Sequence, residues 1–168
     1  MRRALVLALT LLFVAAPATA HDADLMRAGK RVGPIKLYET HPREARRWFG
    51  EPTSRTVDER GCVKAVRLWW RGELKVFAGR GKSGTIAEVH VLDRTISSTQ
   101  HGDLTIHTRR GIRVGDSERD VRRAYPKADS DTHRGHTHYF VENEYDRLFV
   151  KVVDHEVVAL EARPFEWC

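Results

Sequence analysis

The stretch "IRVGDSERDVRRAYP", residues 112–126, restates an earlier one, "IKLYETHPREARRWFGEP", residues 35–52. Ala45-Arg46-Arg47-Trp48-Phe49 aligns with Val121-Arg122-Arg123-Ala124-Tyr125: apolar, basic, basic, apolar, aromatic in both. Upstream, Ile35-Lys36-Leu37 aligns with Ile112-Arg113-Val114, with one residue inserted in the first copy. An acid and a hydroxyl come next each time, Glu39-Thr40 and Asp116-Ser117. Both copies read as a short extended segment that turns into a capped helix. Ser117 with Asp120 has nearly the spacing of a capping box, and Thr40 precedes Pro42 at the first helical turn. Residues 45, 48 and 49, like 121, 124 and 125, fall at i, i+3, i+4 and give each helix a narrow apolar stripe. Gly50 with Pro52 ends the first helix and Pro126 ends the second. Helices this short need something to pack on.

The segments after each helix are strand-like. "VKAVRLWW" (63–70), "ELKVFA" (73–78) and "TIAEVHVL" (85–92) are rich in β-branched and aromatic residues. After the second helix come "THYFVE" (137–142), "RLFVKVV" (147–153) and "EVVALEA" (156–162). Leu148, Val150 and Val152 line one side of their strand and alternate with Phe149, Lys151 and Val153. The expected fold is therefore α+β: two tandem α-β-β-β repeats sharing one antiparallel sheet, with helices packed on one face and the other face open. The expected boundaries are residues 21–94 for the first repeat, 95–110 for a polar linker and 111–168 for the second repeat with its tail.

The first copy resembles the signature of the small outer-membrane assembly lipoprotein domain (SmpA/OmlA-like), roughly I-K-x-G-M-T, four or five residues, then L-G-x-P. Ile35, Lys36, Thr40, Gly50 and Pro52 fit that pattern. Tyr38 and Glu39 stand where Gly and Met are expected, and Phe49 stands for Leu. In the second copy Gly115 restores the glycine, while Pro126 replaces the final Gly. A tandem pair of such units is similar to the β-lactamase inhibitory protein fold, which grips its target with the concave face of its sheet. That resemblance spans nearly all of residues 31–163 and implies a fold far more than an activity. It also implies a disulfide inside each repeat, which the cysteines here do not supply. None of that family's enzyme-contacting residues is matched by motif, so none is carried over.

The N-terminus reads as a secretory signal. Arg2 and Arg3 precede an apolar run, Ala4 to Ala16, and Pro17 leads into Ala18-Thr19-Ala20, a small-x-small cleavage site. The run is too short to cross a bilayer, which takes roughly 20 residues. The expected mature chain begins at His21 and is exported, either extracellular or periplasmic. Losing Arg2 and Arg3 lowers the formal charge from +6 to +4, too modest an excess to argue for nucleic acid. Cys62 and Cys168 are an even pair in a disulfide-permissive compartment, so one bridge between them is expected. The alternative is two unpaired thiols, or a Cys168 joined to another chain.

No catalytic constellation emerges. "GRGKSG" (79–84) has Val76 where a P-loop needs glycine, and a strand rather than a helix comes after it. Ser83 is not in a nucleophile elbow, because Thr85 occupies the last glycine position. His21, once exposed as the first residue, has an amine and an imidazole suited to Cu(II). His133, His136 and His138 form "HRGHTH", with His136 and His138 on one side of a strand and His133 in the preceding loop. Zinc or copper fits these imidazoles, yet no cysteine or carboxylate completes a recognised spacing; surface imidazoles on a hairpin are the plainer reading. The Arg pairs 46/47 and 122/123 and "TRRGIR" (108–113) suit either an anionic ligand or the solvated side of a helix.

The aromatic residues are more informative. Trp69 and Trp70 are consecutive and face opposite sides of their strand. Val66, Leu68 and Trp70 share the side expected under the helices. Arg67 and Trp69 share the other, where Phe77, Tyr139 and Tyr145 are candidates to join them. Tryptophan, tyrosine and arginine are the residue types that dominate interface energetics. The expected function is thus a secreted, non-enzymatic binding module without a cofactor. It would be monomeric and would bind an extracellular or envelope protein through Arg67, Trp69, Phe77, Tyr139 and Tyr145. The alternatives are a copper or zinc protein using His21, His133, His136 and His138, and a structural envelope protein.

Overall fold

Runs of Val, Ile, Leu and aromatic residues with a period of two build the central strands of this chain. The computed structural model describes residues 24–27, 30–60, 63–79, 84–143 and 146–164. Strands β1 (Leu25–Arg27), β2 (Arg31–Val32) and β3 (Ile35–Lys36) lead into helix α1 (Pro42–Phe49). Then come β4 (Ser54–Arg60), β5 (Val63–Trp70), β6 (Leu74–Gly79) and β7 (Ile86–Val91). Strand β8 (His107–Thr108) precedes helix α2 (Glu118–Ala124), after which come β9 (Asp129–His133), β10 (His136–Asn143), β11 (Asp146–Val153) and β12 (Glu156–Pro164). One sheet has eight strands in the order β4-β5-β6-β7-β12-β11-β10-β9, and a second has four in the order β3-β2-β1-β8. Every pairing in the larger sheet is antiparallel, including the central seam where Leu160, Glu161 and Ala162 of β12 meet Val91, His90 and Val89 of β7.

This architecture overturns the expected α+β class with two α-β-β-β repeats. The described chain is mostly strand, with two short helices, and four strands rather than three come after each helix in the large sheet. The additional strands had no apolar alternation to betray them. β4 reads SRTVDER and β9 reads DSDTH, whose five residues are all exposed. They are the two edge strands of the large sheet, held by the backbones of β5 and β10 and free of any need to face a core. The small sheet has no sequence signature because its strands are two or three residues long, below the length at which a period can be read. The stretch expected as a polar linker, 95–110, supplies β8 and the buried Ile96, Leu104 and Ile106, with Ile96 bridged to Leu104.

The helices do sit against this core, but each contributes a single fully buried residue, Ala45 or Val121. The rest of the core comes from sheet residues such as Leu68, Val76, Val89, Val150 and Leu160, together with Met26, Val32 and Ile35 of the small sheet. Helix α1 is capped by His41, not Thr40: His41 Nδ1 accepts from Arg43 N at 3.2 Å, and Glu44 Oε2 accepts from His41 N at 2.8 Å. Thr40 is buried and accepts from Lys36 N instead, at 2.9 Å. The C-terminus of α1 is tied to the sheet where Trp70 Nε1 donates to Gly50 O at 2.9 Å.

Helix α2 is fastened by charge. Ser117 Oγ accepts from Asp120 N at 3.2 Å, as a cap should. In the first turn, Glu118 takes bonds from Tyr139 OH (2.5 Å), His155 Nδ1 (2.6 Å) and Arg122 Nη2 (2.7 Å). The Tyr139 hydroxyl does most to favour the carboxylate, then His155 and Arg122, and together they hold Glu118 down from 4.5 to about 2. Burial, then the hydrogen bond it donates to Glu118, pushes the Tyr139 phenol up to about 12.

Among the described residues, no helix is long and apolar enough to cross a membrane.

Candidate functional site

One face of the eight-stranded sheet, helix-free among the described residues, combines aromatic, cationic and buried acidic side chains. Cross-strand register places its residues in rows. Arg67 of β5 lies opposite Phe77 of β6, and Phe77 lies opposite Glu88 of β7. Next to that row, Trp69, Lys75, His90, Glu161, Phe149 and Phe140 succeed one another across β5, β6, β7, β12, β11 and β10. His138 sits opposite Lys151 in the row beyond.

Cations are layered over aromatic rings along these rows. Lys75 Nζ lies 5.1 Å from the Trp69 ring centroid and 4.8 Å from that of Phe77. The Arg67 guanidinium is 5.3 Å from the Phe77 centroid, and Arg147 is 5.6 Å from that of Phe140. Arg163 is closest of all, 3.9 Å from the Phe149 centroid. Such contacts contribute about 0.5–1 kcal/mol each at exposed sites and more where water is excluded. They accompany the burial of Phe77 and Phe149 on a face that neither described helix covers: the cationic groups of Arg67, Lys75 and Arg163 lie over the two rings.

Beneath this layer, at the central seam, an imidazole is held between two carboxylates. His90 Nε2 is in hydrogen-bond contact with Glu88 Oε1, and His90 Nδ1 lies 3.6 Å from Glu161 Oε1. Glu161 Oε2 is in turn 3.8 Å from Arg163 Nε. Glu88 is fully buried, and Glu161 and His90 nearly so. Isolated carboxylates at such depth would be costly, and the shared imidazole and nearby guanidinium are the compensation. The Phe77 ring packs on His90 with centroids 5.5 Å apart.

The histidine cluster borders the same face. His133, in strand β9 rather than a loop, pairs with His136. Ring centroids are 6.3 Å apart for His133–His136 and 5.0 Å apart for His136–His138. Burial keeps His138 below the usual imidazole range; Glu161 pulls the other way, and Arg163, His136 and Lys151 add to the lowering. Among the described residues, no group of three or more His, Cys, Asp or Glu is arranged to hold a metal ion.

Of the residues expected on this face, Arg67, Trp69 and Phe77 are brought together, with Arg67 and Trp69 half-buried and Phe77 beneath them. Tyr139 is not with them. It pairs with Val150, a core residue, and points under α2 toward Glu118, so the face carries its neighbour Phe140 instead. Tyr145, His21, Cys62 and Cys168 lie outside the described residues, as do residues 1–20, the stretch with the pattern of a signal. Lys75, Glu88, His90, Phe149, Glu161 and Arg163 join the site without having been expected there. A signal for two of them existed: in "TIAEVHVL" the polar Glu88 and His90 stand two apart among apolar neighbours, a polar side of an otherwise buried strand.

No protein-family model matches the chain, and no curated protein does. Among solved structures, the chain is similar to the crystal structure of a DUF4309 family protein (YjgB) from Bacillus subtilis subsp. subtilis str. 168, with a TM-score of 0.48 and 12% sequence identity over 81% of this chain and 88% of that one.

Proposed function

We propose that this protein is an exported, non-enzymatic binding module that docks a partner protein on the helix-free face of its large sheet. The observation that carries the reading is the layer of Arg67, Lys75, Arg147 and Arg163 over Trp69, Phe77, Phe140 and Phe149. Aromatic and arginine side chains held in place on a rigid sheet lose little conformational freedom on association, which is what interface hot spots require. The central acids Glu88 and Glu161 are buried while the cations around them are not, so the surface over the middle strands is positive. The exposed acids Asp129 and Asp131 lie at the edge, on β9. This pattern favours an acidic patch on the partner. His90 is bonded through Nε2 to the buried Glu88 and lies near the buried Glu161, an arrangement that fits compensation of buried acids.

The test is Trp69→Ala in a binding assay against whatever extracellular or envelope protein the wild type retains. Loss of a central aromatic anchor weakens binding by about 2 kcal/mol or more, roughly thirtyfold. Binding of the variant within about twofold of wild type, a difference too small for a hot spot, rejects the reading.

A further inference from the structure

On the opposite side of the sheet, a cavity of about 330 Å³ lies between α1 and the strands β4, β5 and β6. Its existence follows from the shortness of α1. Eight residues with one fully buried side chain leave the outer strands partly open, with half-buried Val66 as the apolar floor and the fully buried Leu68 beneath it. Three arginines line it: Arg43 and Arg46 from the helix and Arg55 from the edge strand, with His41 beside them. Arg55 pairs with Leu68 across β4 and β5, which sets its side chain on the helix side of the sheet. Among the described residues, the carboxylate paired with these cations is Glu51, 3.8 Å from Arg46 Nη1 and strongly exposed. Arg46 Nε is buried and has no hydrogen-bond partner among the described residues.

We propose that this cavity binds a small organic oxyanion, a phosphate or carboxylate headgroup on a short hydrocarbon body, in addition to the partner docked on the other face. Three arginines lining one space concentrate positive charge around it, and an oxyanion offsets that charge while accepting paired N–H bonds in the fork geometry that suits it. Arg46 Nε supplies a donor already stripped of water. The half-buried Val66 side chain at the floor offers nothing to a headgroup and suits a few methylenes. The volume falls at the lower end of the range for small-molecule sites, about 300–1,000 Å³, and matches a small ligand.

The experiment is a titration of the full chain with hexyl phosphate, hexanoate and inorganic phosphate at constant ionic strength, monitored by amide and guanidinium NMR shifts. Saturable shifts at Arg43, Arg46 and Arg55 with at least one hexyl probe are expected, and the tighter of the two identifies the headgroup. Arg43→Gln with Arg55→Gln should weaken that binding roughly tenfold or more, since bonds to charged groups are the strong ones. Both arginines are exposed, so the double variant keeps its fold, checked by an unchanged melting curve. Trp69→Ala should bind the probe like wild type, which separates this site from the partner-binding face. Absence of saturation below about 10 mM, weaker than roughly 3 kcal/mol, overturns the proposal, as does wild-type affinity in the double variant. Inorganic phosphate binding more tightly than hexyl phosphate overturns the role given to the floor.

Discussion

On one side of the large sheet, β5, β6, β7, β12 and β11 present Leu68, Val76, Val89, Leu160 and Val150; one residue along each strand, they present Arg67, Phe77, His90, Glu161 and Phe149. Burial alone does not separate the two sides. Leu68, Phe77 and Glu88 are all fully buried. The sides differ in the nature of the cover. Leu68 lies under the helices and the small sheet, in a continuous apolar core. Phe77 lies under the guanidinium of Arg67 and the ammonium of Lys75. One side is closed by helices and the small sheet, and the other holds apolar and acidic groups under a layer of cationic side chains.

That contrast makes unequal predictions. Leu68→Ala opens a cavity in the apolar core and should cost about 2–5 kcal/mol, read as a lower urea midpoint. Glu118→Gln, on the same side, removes the charge that fastens α2 to Tyr139 and His155 and should cost about 1–2 kcal/mol. Its pH signature is specific. The folded value, about 2, lies below the ordinary 4.5, so the unfolded chain takes up the proton first as the solution is acidified. The stabilisation is complete above about 4.5 and is lost as pH falls toward 2. A urea series across that range should show the loss in wild type and a flatter profile in Glu118→Gln. On the helix-free side, Arg163→Ala uncovers Phe149 and withdraws a cation from Glu161, for about 1 kcal/mol. Trp69→Ala, a half-buried position, should cost under about 1 kcal/mol. A loss at Trp69 as large as that at Leu68 would erase the distinction between the sides.

Period-two alternation made the central strands legible. Leu148, Val150 and Val152 do share the core side, as do Leu68 and Trp70, and Ser117 does cap its helix. The same signal is absent from β4 and β9, because edge strands are held by backbone bonds that any residue can make. The α+β class failed for that reason, and because each helix buries so little. The site was half legible. Arg67 and Trp69 emerged from counting along one strand, whereas Tyr139 required knowing that β10 pairs Tyr139 with Val150. The Glu88–His90–Glu161 cluster spans two strands from opposite halves of the chain, and only the β7–β12 register brings it together.

The most direct test of the proposal that this face binds a partner is capture from culture fluid and envelope extract at moderate salt, using immobilised wild type, Trp69→Ala, Lys75→Glu and Val57→Ala. Val57 is an exposed residue of β4, placed by its pairing with Val66 on the helix side. The account predicts a protein held by wild type and Val57→Ala and lost from both Trp69→Ala and Lys75→Glu. Retention of that protein by all four would contradict it.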